Sequence, residues 1–431
     1  MKGICSQLQE MSGSDSEKNL KFQEAFANHP SSQFLTAFNQ IAKLQGSRLF
    51  LVGGCVRNAI LSIPFHEVDL LLHGNLYAFL ESVSTNPDMT IVTLDKERNL
   101  FRLVPKPQKI SFDLSPCEEK SVEENLLKRE LPINAVAVDL EGVLTGSFHF
   151  FDPQNGIGDL QNKIIRTLSS DRLKEDPLRI LRAFRFAALL NFSVEEKTEK
   201  IIKEMAPLLH SVSIERIRDE LFKILSAPES YHWLCKMDSA GILDIVFPEI
   251  LPMKKMNQNP RYHKYSVWIH SLETIHHLEN LLLEKDYPEK NLILSGERTQ
   301  ESGLKFAALF HDLGKPSTFR TDEHGEIHFY QHEAVGEQLI KSLGKRFRLS
   351  VKEIQFFSLL IRNHLRPAQL ARSPKTSKAA VTRLFREIHP YQKELIFLCL
   401  ADTLAKGMQA DETITYLENL LIKLEIGKKT S

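Results

Sequence analysis

The sequence has only five cysteines (Cys5, Cys55, Cys117, Cys235 and Cys399), and none forms a Cys-x-x-Cys pair. An odd, dispersed set argues against a disulfide framework and against a thiolate zinc site. No apolar run approaches the ~18 residues that a membrane span needs. The polar opening MKGICSQLQEMSGSDSEKN lacks the apolar core of a signal peptide. Net charge is also missing, with 55 Lys and Arg against 55 Asp and Glu. That balance excludes a strongly basic nucleic-acid coat protein but allows a local basic groove. Internal repeats and low-complexity segments are absent. A cytoplasmic protein without membrane association is expected.

The 431 residues are 42% hydrophobic and 26% charged, enough to bury real cores. At about 150 residues per domain, roughly three domains are expected. Residues 1–30 read as a flexible tail. Residues 31–150 read as a first region of α+β class, with a small mixed sheet. Its strands are expected at RLFLV before Gly53, at His66–Leu72, Met89–Leu94, Phe101–Val104 and Lys109–Leu114, and at Ile133–Asp139. From about Asp171 the apolar residues recur at i, i+3, i+4 and i+7, so 171–250 reads as an all-helical region. A Pro- and Asn-containing linker is expected at 247–263. Residues 260–425 read as all-helical, with a hairpin-like insertion at Phe319–Tyr330.

Chemistry-bearing residues form two groups. In the first, Gly53 and Gly54 lie between a strand and a helix, where backbone N–H groups can approach phosphate closely. Arg57 follows in the first helical turn. Glu67 and Asp69 are two apart on a strand, so both carboxylates face the same way, about 7 Å apart along the backbone. Such a pair repels itself unless a cation screens it, and divalent ions gather such carboxylates for phosphoryl or nucleotidyl transfer. Asp113 is a candidate third carboxylate from a neighbouring strand. Each feature also has a plain reading, as a tight turn, a solvated edge and a strand end.

Taken in order, these residues resemble the class II tRNA nucleotidyltransferase (CCA-adding enzyme) and bacterial poly(A) polymerase family. Gly53-Gly54-Cys55-Val56-Arg57-Asn58 and Glu67-Val68-Asp69 match its Gly-Gly-x-Val-Arg-Asp and Asp-x-Asp signatures. Lys128-Arg129-Glu130-Leu131-Pro132-Ile133-Asn134-Ala135 is similar to its Arg-Arg-Asp-Phe-Thr-Ile-Asn-Ala motif. Phe151-Asp152-Pro153, Glu175-Asp176-Pro177-Leu178-Arg179-Ile180-Leu181-Arg182-Ala183-Phe184-Arg185 and Glu215-Arg216-Ile217-Arg218-Asp219-Glu220-Leu221 continue the match.

The resemblance implies a nucleotidyltransferase head at 31–150 and a nucleotide-selecting, RNA-binding neck and body at 151–250. It implies Mg²⁺ on Glu67 and Asp69, with Asp113 as a third catalytic carboxylate. Gly53, Gly54, Arg57, Arg129 and Asn134 would hold the nucleotide. Asp176 and Arg179, three apart on one expected helix face, would read the base of CTP or ATP. Arg182 and Arg185 would face triphosphate or RNA phosphate. The implied partner is the 3′ end of tRNA or another RNA. Asn58, Glu67, Lys128, Glu130 and Pro132 depart from the family wording. Only fifteen residues separate Asp113 from Arg129 (129 − 113 − 1 = 15), where members that build the full CCA end carry a longer loop. The alternatives are therefore a CC-adding enzyme or a poly(A) polymerase.

The second group is His270, His311-Asp312 and Asp402, on expected helices. This order resembles the HD phosphohydrolase superfamily, in which such side chains hold a divalent metal that activates water. His332 and His364 fall where extended members place further ligands. The resemblance implies an HD-type domain at 260–425 and a possible second divalent metal. It adds a rival reading, an HD phosphohydrolase with a degenerate head. A non-catalytic RNA-binding protein is a further rival. A basic stretch at Arg372–Arg386 reads as a solvated face or an RNA contact.

Overall fold

The computed structural model describes residues 15–107, 110–167, 170–259, 264–284, 292–296, 298–372, 378–407 and 410–429. Parts of the expected tail (1–14), linker (260–263) and basic stretch (373–377), and Lys109, lie outside the described residues. The chain divides into two compact units, Met1–Leu168 and Ser169–Ser431. No helix among the described residues is long and apolar enough to cross a membrane.

The first unit is built on a seven-stranded mixed sheet. In chain order the strands are β1 (Arg48–Val52), β2 (Glu67–His73), β3 (Met89–Asp95), β4 (Leu100–Pro105), β5 (Ser111–Pro116), β6 (Ala137–Asp139) and β7 (Phe150–Phe151). Their spatial order is β3-β4-β5-β2-β1-β6-β7. Only β2 and β5 run parallel, with Asp69 opposite Asp113. Strand alternation divides the side chains between the two faces. Leu49, Leu51, Val68, Leu70, Leu72, Leu103, Phe112 and Leu114 bury one face in the main core, against helices at Ser32–Leu44 and Leu76–Ser84. The other face carries a smaller apolar cluster of Phe50, Val52, Leu71, Val122, Leu126, Ala135 and Ala137. Beyond that cluster the same face turns charged at Glu67, Asp69, Arg102 and Asp113.

Two expectations need correcting here. Residues 1–30 are not all tail: Asp15–Ala27 is a helix whose Phe22 and Phe26 are each 2% exposed in the main core. Its polar composition hid two aromatic anchors, four apart on one face. The expected strand at Ile133–Asp139 also starts later. Pro132–Asn134 form a 3₁₀ turn, with the proline at its first position, and β6 begins at Ala137. Proline has no N–H to give a ladder, and this turn puts Asn134 beside Arg57.

The second unit is mainly helical. The expected hairpin is present as Phe319–Thr321 paired with Ile327–Phe329. Helices Val267–Glu284, Gln300–Phe310, His332–Arg346, Val351–Asn363 and Gln392–Ala405 surround a buried polar cluster. Lys305 is fully buried, donates to the Ala227 carbonyl at 2.8 Å and pairs with Glu279 at 3.0 Å. Glu279 in turn accepts from the Ser230 backbone N–H at 2.7 Å, closing the start of the Ser230–Ser239 helix.

If the Asp15–Ala27 helix is part of the head core, Phe26→Ala should cost about 3–5 kcal/mol of stability. Chemical denaturation of the full chain measures this. A loss below ~1 kcal/mol would return the segment to the status of a tail.

Candidate active site and metal centre

In the first unit, Gly53 ends β1 with φ +69°, a conformation that favours glycine. A Cβ there would lie 2.9 Å from Asp69 Oδ2 and 3.3 Å from Arg129 Nη1. The corner therefore needs glycine twice over, for its backbone and for the approach of these two charges. Asp69 Oδ2 accepts the Gly54 N–H at 2.9 Å. Burial raises the Asp69 pKa, and the Arg129 charge and the Gly54 N–H oppose that rise. Burial likewise lowers the Arg129 pKa, against the pull of Asp69. The two are a half-buried, mutually compensating pair.

Arg57 donates from Nη1 to Asn134 Oδ1 at 2.7 Å, and from Nε and Nη2 to Asn58 Oδ1 at 3.0 and 2.8 Å. Asn58, which replaces the family aspartate, still accepts from Arg57 but without a charge. The sheet register brings Asp113 abreast of Asp69 on adjacent strands, but both oxygens of Asp113 turn to Arg102. Glu67 lies on the same face but turns toward Arg102. That arginine, on β4, was not singled out from the sequence. It donates to both oxygens of Asp113, at 2.7 and 2.9 Å, and lies 3.1 Å from Glu67. Its only sequence signal was a lone basic residue in the apolar run LFRLVP, which has meaning only once the register to Asp113 is known.

The connection from Asp113 to Arg129 is short and ordered. Val122–Leu127 form a helix, capped by Ser121 accepting the Glu124 N–H at 3.3 Å, and Leu126 is buried. The hydrogen bond from Arg129 N to Leu126 O, 3.1 Å, sets where Arg129 leaves this helix.

In the second unit, the expected pairing of Asp176 with Arg179 on one helix face is not found. The helix begins at Arg179, and Asp176 precedes it, accepting the Leu178 N–H at 3.2 Å. Pro177 sets this boundary, since the residue before a proline is pushed out of helical geometry. Asp176 Oδ2 pairs instead with Arg216 at 2.8 Å, and Arg179 with Glu175 at 3.1 Å. Arg185 does not offer a free guanidinium to phosphate. It is paired with Glu220 at 3.2 Å, and its guanidinium lies 4.1 Å from the Phe186 ring centre. Arg182 is half-buried on the same helix.

The four expected HD residues converge, and His332 and His364 join them. His270 Nε2 is 3.0 Å from Asp402 Oδ1, and His311 Nε2 is 3.2 Å from Asp312 Oδ2. His332 and His364 approach Asp312 Oδ1 at 3.3 and 3.7 Å. His311 and His364 each follow the last residue of a helix, where carbonyls lack partners. Their Nδ1 atoms reach Ala308 O and Ile361 O, and His332 Nδ1 reaches Phe329 O, at 2.7–2.8 Å. A carbonyl only accepts, so all three Nδ1 atoms carry a proton, and all three Nε2 atoms face inward, where a metal would have to displace the second proton that His311 holds. A proton on Nδ1 and a free Nε2 are what metal-ligating imidazoles require.

Burial works against charge throughout this cluster. At His311 the facing Asp312 and Asp402 outweigh it and raise the pKa to about 9. His364, buried and facing His311 and His332, is pushed down to about 3. Despite burial, Asp312 is held well below the usual carboxylate range by His311 and Lys315, and Asp402 by Lys406 and His270. Ionised carboxylates beside inward-facing imidazoles fit a divalent transition metal. Two spacings in the cluster suit an ion: His270–His311–Asp402 and His311–Asp312–His364.

Three family models match in this order: the poly(A) polymerase head domain over residues 49–166, the probable RNA- and SrmB-binding site of polymerase A over 191–254, and the HD domain over 267–407. In their order these matches resemble the domain arrangement of the class II tRNA nucleotidyltransferase and poly(A) polymerase family. Among the proteins that the chain is similar to, the A-adding tRNA nucleotidyltransferase of Deinococcus radiodurans is 29% identical over 84% of the chain and 78% of that protein. The CC-adding tRNA nucleotidyltransferase of Geobacter sulfurreducens is 36% identical over 48% of the chain and 47% of that protein. The CCA-adding enzyme of Thermotoga maritima, solved with tRNA, shares the fold at TM-score 0.67 and 19% identity, over 94% of this chain and 85% of that one. Among the described residues the His–Asp cluster is spaced to hold a divalent ion, and no such group includes a head carboxylate.

Gly53→Ala should disrupt the corner, because it adds backbone strain of about 1–2 kcal/mol to a contact that pushes Asp69 and Arg129 apart. The expected result is weaker nucleoside triphosphate binding by isothermal titration, with the second unit's thermal transition unmoved.

Proposed function

We propose that the protein is a template-independent nucleotidyltransferase that adds C, A or both to the 3′ end of tRNA, using CTP or ATP. The observation that carries this reading is Asp69 abreast of Asp113 across parallel β2 and β5, beside the Gly53–Gly54 corner and the half-buried Arg129. The all-oxygen donor set of Glu67, Asp69 and Asp113 suits a hard cation, Mg²⁺ in this reading. Bound there, such an ion would polarise the RNA 3′-hydroxyl for attack on the α-phosphate and screen the departing pyrophosphate.

The chain's own residues do the rest. The Gly53–Gly54 backbone lets triphosphate oxygens approach. Arg57 and Arg129 supply positive charge, and Asn134 orients Arg57. Asp176 and Arg179 select the base, with Arg216 and Glu175 fixing their orientations before a nucleotide arrives. The incoming base exchanges these ion pairs for its own edge.

Labelled CTP and ATP, offered with tRNA lacking its terminal nucleotides, test the reading directly. Incorporation should fall by more than about 100-fold in Asp69→Ala, since a misplaced reacting geometry alone costs that much. No incorporation of either nucleotide by the unaltered chain, with Mg²⁺ or Mn²⁺, overturns it. The short, helical 113–129 connection favours CC addition over completion of CCA, and sequencing of the product 3′ end decides between them. A long A-tail would instead identify a poly(A) polymerase.

The buried His–Asp cluster supports a second activity, metal-dependent hydrolysis of a phosphoester in the 260–425 region. His311→Ala should abolish both bound divalent metal, measured by elemental analysis, and any phosphatase or cyclic phosphodiesterase activity. Asp69→Ala should leave both intact.

A further inference from the structure

We propose that Arg102 is an internal counter-ion of the head centre. It holds the Glu67–Asp113 side of the site, must be displaced for a divalent cation to enter, and so sets the cation affinity of the head. The proposal rests on the transferase reading of these carboxylates.

Four observations carry it. Arg102 is the only basic residue of β4, and the antiparallel register sets it directly opposite Asp113. It takes both oxygens of that carboxylate, at 2.7 and 2.9 Å, in the fork geometry that makes arginine a strong partner. The same guanidinium reaches Glu67 at 3.1 Å, so one cation neutralises two of the three candidate ligands. Lastly, the groups of described residues spaced to hold a metal lie at the HD cluster and on the Asp322–His328 hairpin; none includes a head carboxylate. Glu67 and Asp113 lean to Arg102 rather than to a common point with Asp69.

The charge count shows why exchange rather than addition is needed. Glu67, Asp69 and Asp113 bring −3, and Arg102 and Arg129 bring +2, for a formal sum of −1. Adding a divalent ion with Arg102 in place makes the cluster +1 and sets the ion against a guanidinium. If Arg102 leaves, the sum is −2, and the ion brings it to zero. Arg129 cannot make the exchange, since it is packed against the glycine corner and its Nε is sealed from solvent. Arg102 can, because its side chain is one-third exposed and has water to swing into. Until then it relieves the repulsion that would otherwise force the strands' carboxylates apart.

Iron-directed cleavage of the full-length protein tests this without relying on catalysis. With Fe²⁺, ascorbate and hydrogen peroxide, iron at the head cuts near Asp69 and Asp113 and yields short N-terminal fragments. Iron at the His–Asp cluster cuts in the C-terminal half and serves as an internal control in the same lane. With Fe²⁺ held far below its own dissociation constant at the head, Mg²⁺ is titrated in, and the concentration that halves the head fragments reads head affinity for Mg²⁺. Arg102→Gln should lower that concentration about three- to tenfold, as expected for removing a charged competitor from a partly exposed site. Arg102→Lys, which keeps the charge but loses the fork and is the milder change for folding, should fall between the two. The C-terminal pattern should not change. Equal Mg²⁺ concentrations for wild type and Arg102→Gln overturn the proposal and leave the transferase reading standing. Absence of head cleavage in all three proteins overturns both.

Discussion

Carboxylates cannot be gathered in one place without cations to hold them there, and both units are organised around that constraint. In the sheet, Asp69 is balanced by Arg129 and a backbone N–H, and Asp113 and Glu67 by Arg102. In the helical unit, Asp312 is balanced by Lys315 at 2.6 Å and Asp402 by Lys406 at 2.8 Å, each from its own helical neighbourhood. The repulsion and desolvation these partners offset amount to several kcal/mol per buried ion. Each centre is thus already compensated by the chain.

The two centres meet the constraint differently. The head uses strands, whose register fixes which carboxylates stand abreast, and arginines, whose planar forks match them. The helical centre uses helix ends, where the last carbonyls lock imidazoles into one tautomer. It also uses lysines, which reach a carboxylate as point charges through a flexible stem. A sheet gives precise spacing on one face, which suits in-line transfer between two oxygens. Helix ends give a closed basket, which suits a tightly held ion.

Much of this was legible in the sequence. Strand alternation placed Glu67 and Asp69 on one face, the glycine pair marked the corner, and the spread His…His-Asp…Asp order marked the second centre. What escaped notice depended on tertiary register or on capping. Arg102 acquires meaning only when β4 and β5 are known to be paired. Asp176 and Arg179 were expected to face together by helical spacing, but Pro177 delays the helix and gives each a different partner. Arg185 was expected to face phosphate because Glu220, its partner, is thirty-five positions away. The Asp15–Ala27 helix was hidden because two phenylalanines among polar residues carry little periodic signal, though they carry much of the burial.

The hydrogen bond from Gly54 N–H to Asp69 joins two parts of the head that are usually considered separately. One carboxylate oxygen fixes the backbone bend that the proposed reading assigns to phosphate, and the same carboxylate is a proposed cation ligand. Any ion that draws Asp69 forward also pulls on that bend, and any phosphate that reshapes the bend reorients Asp69. In the proposed reading, cation and nucleotide would therefore be thermodynamically linked through a single side chain.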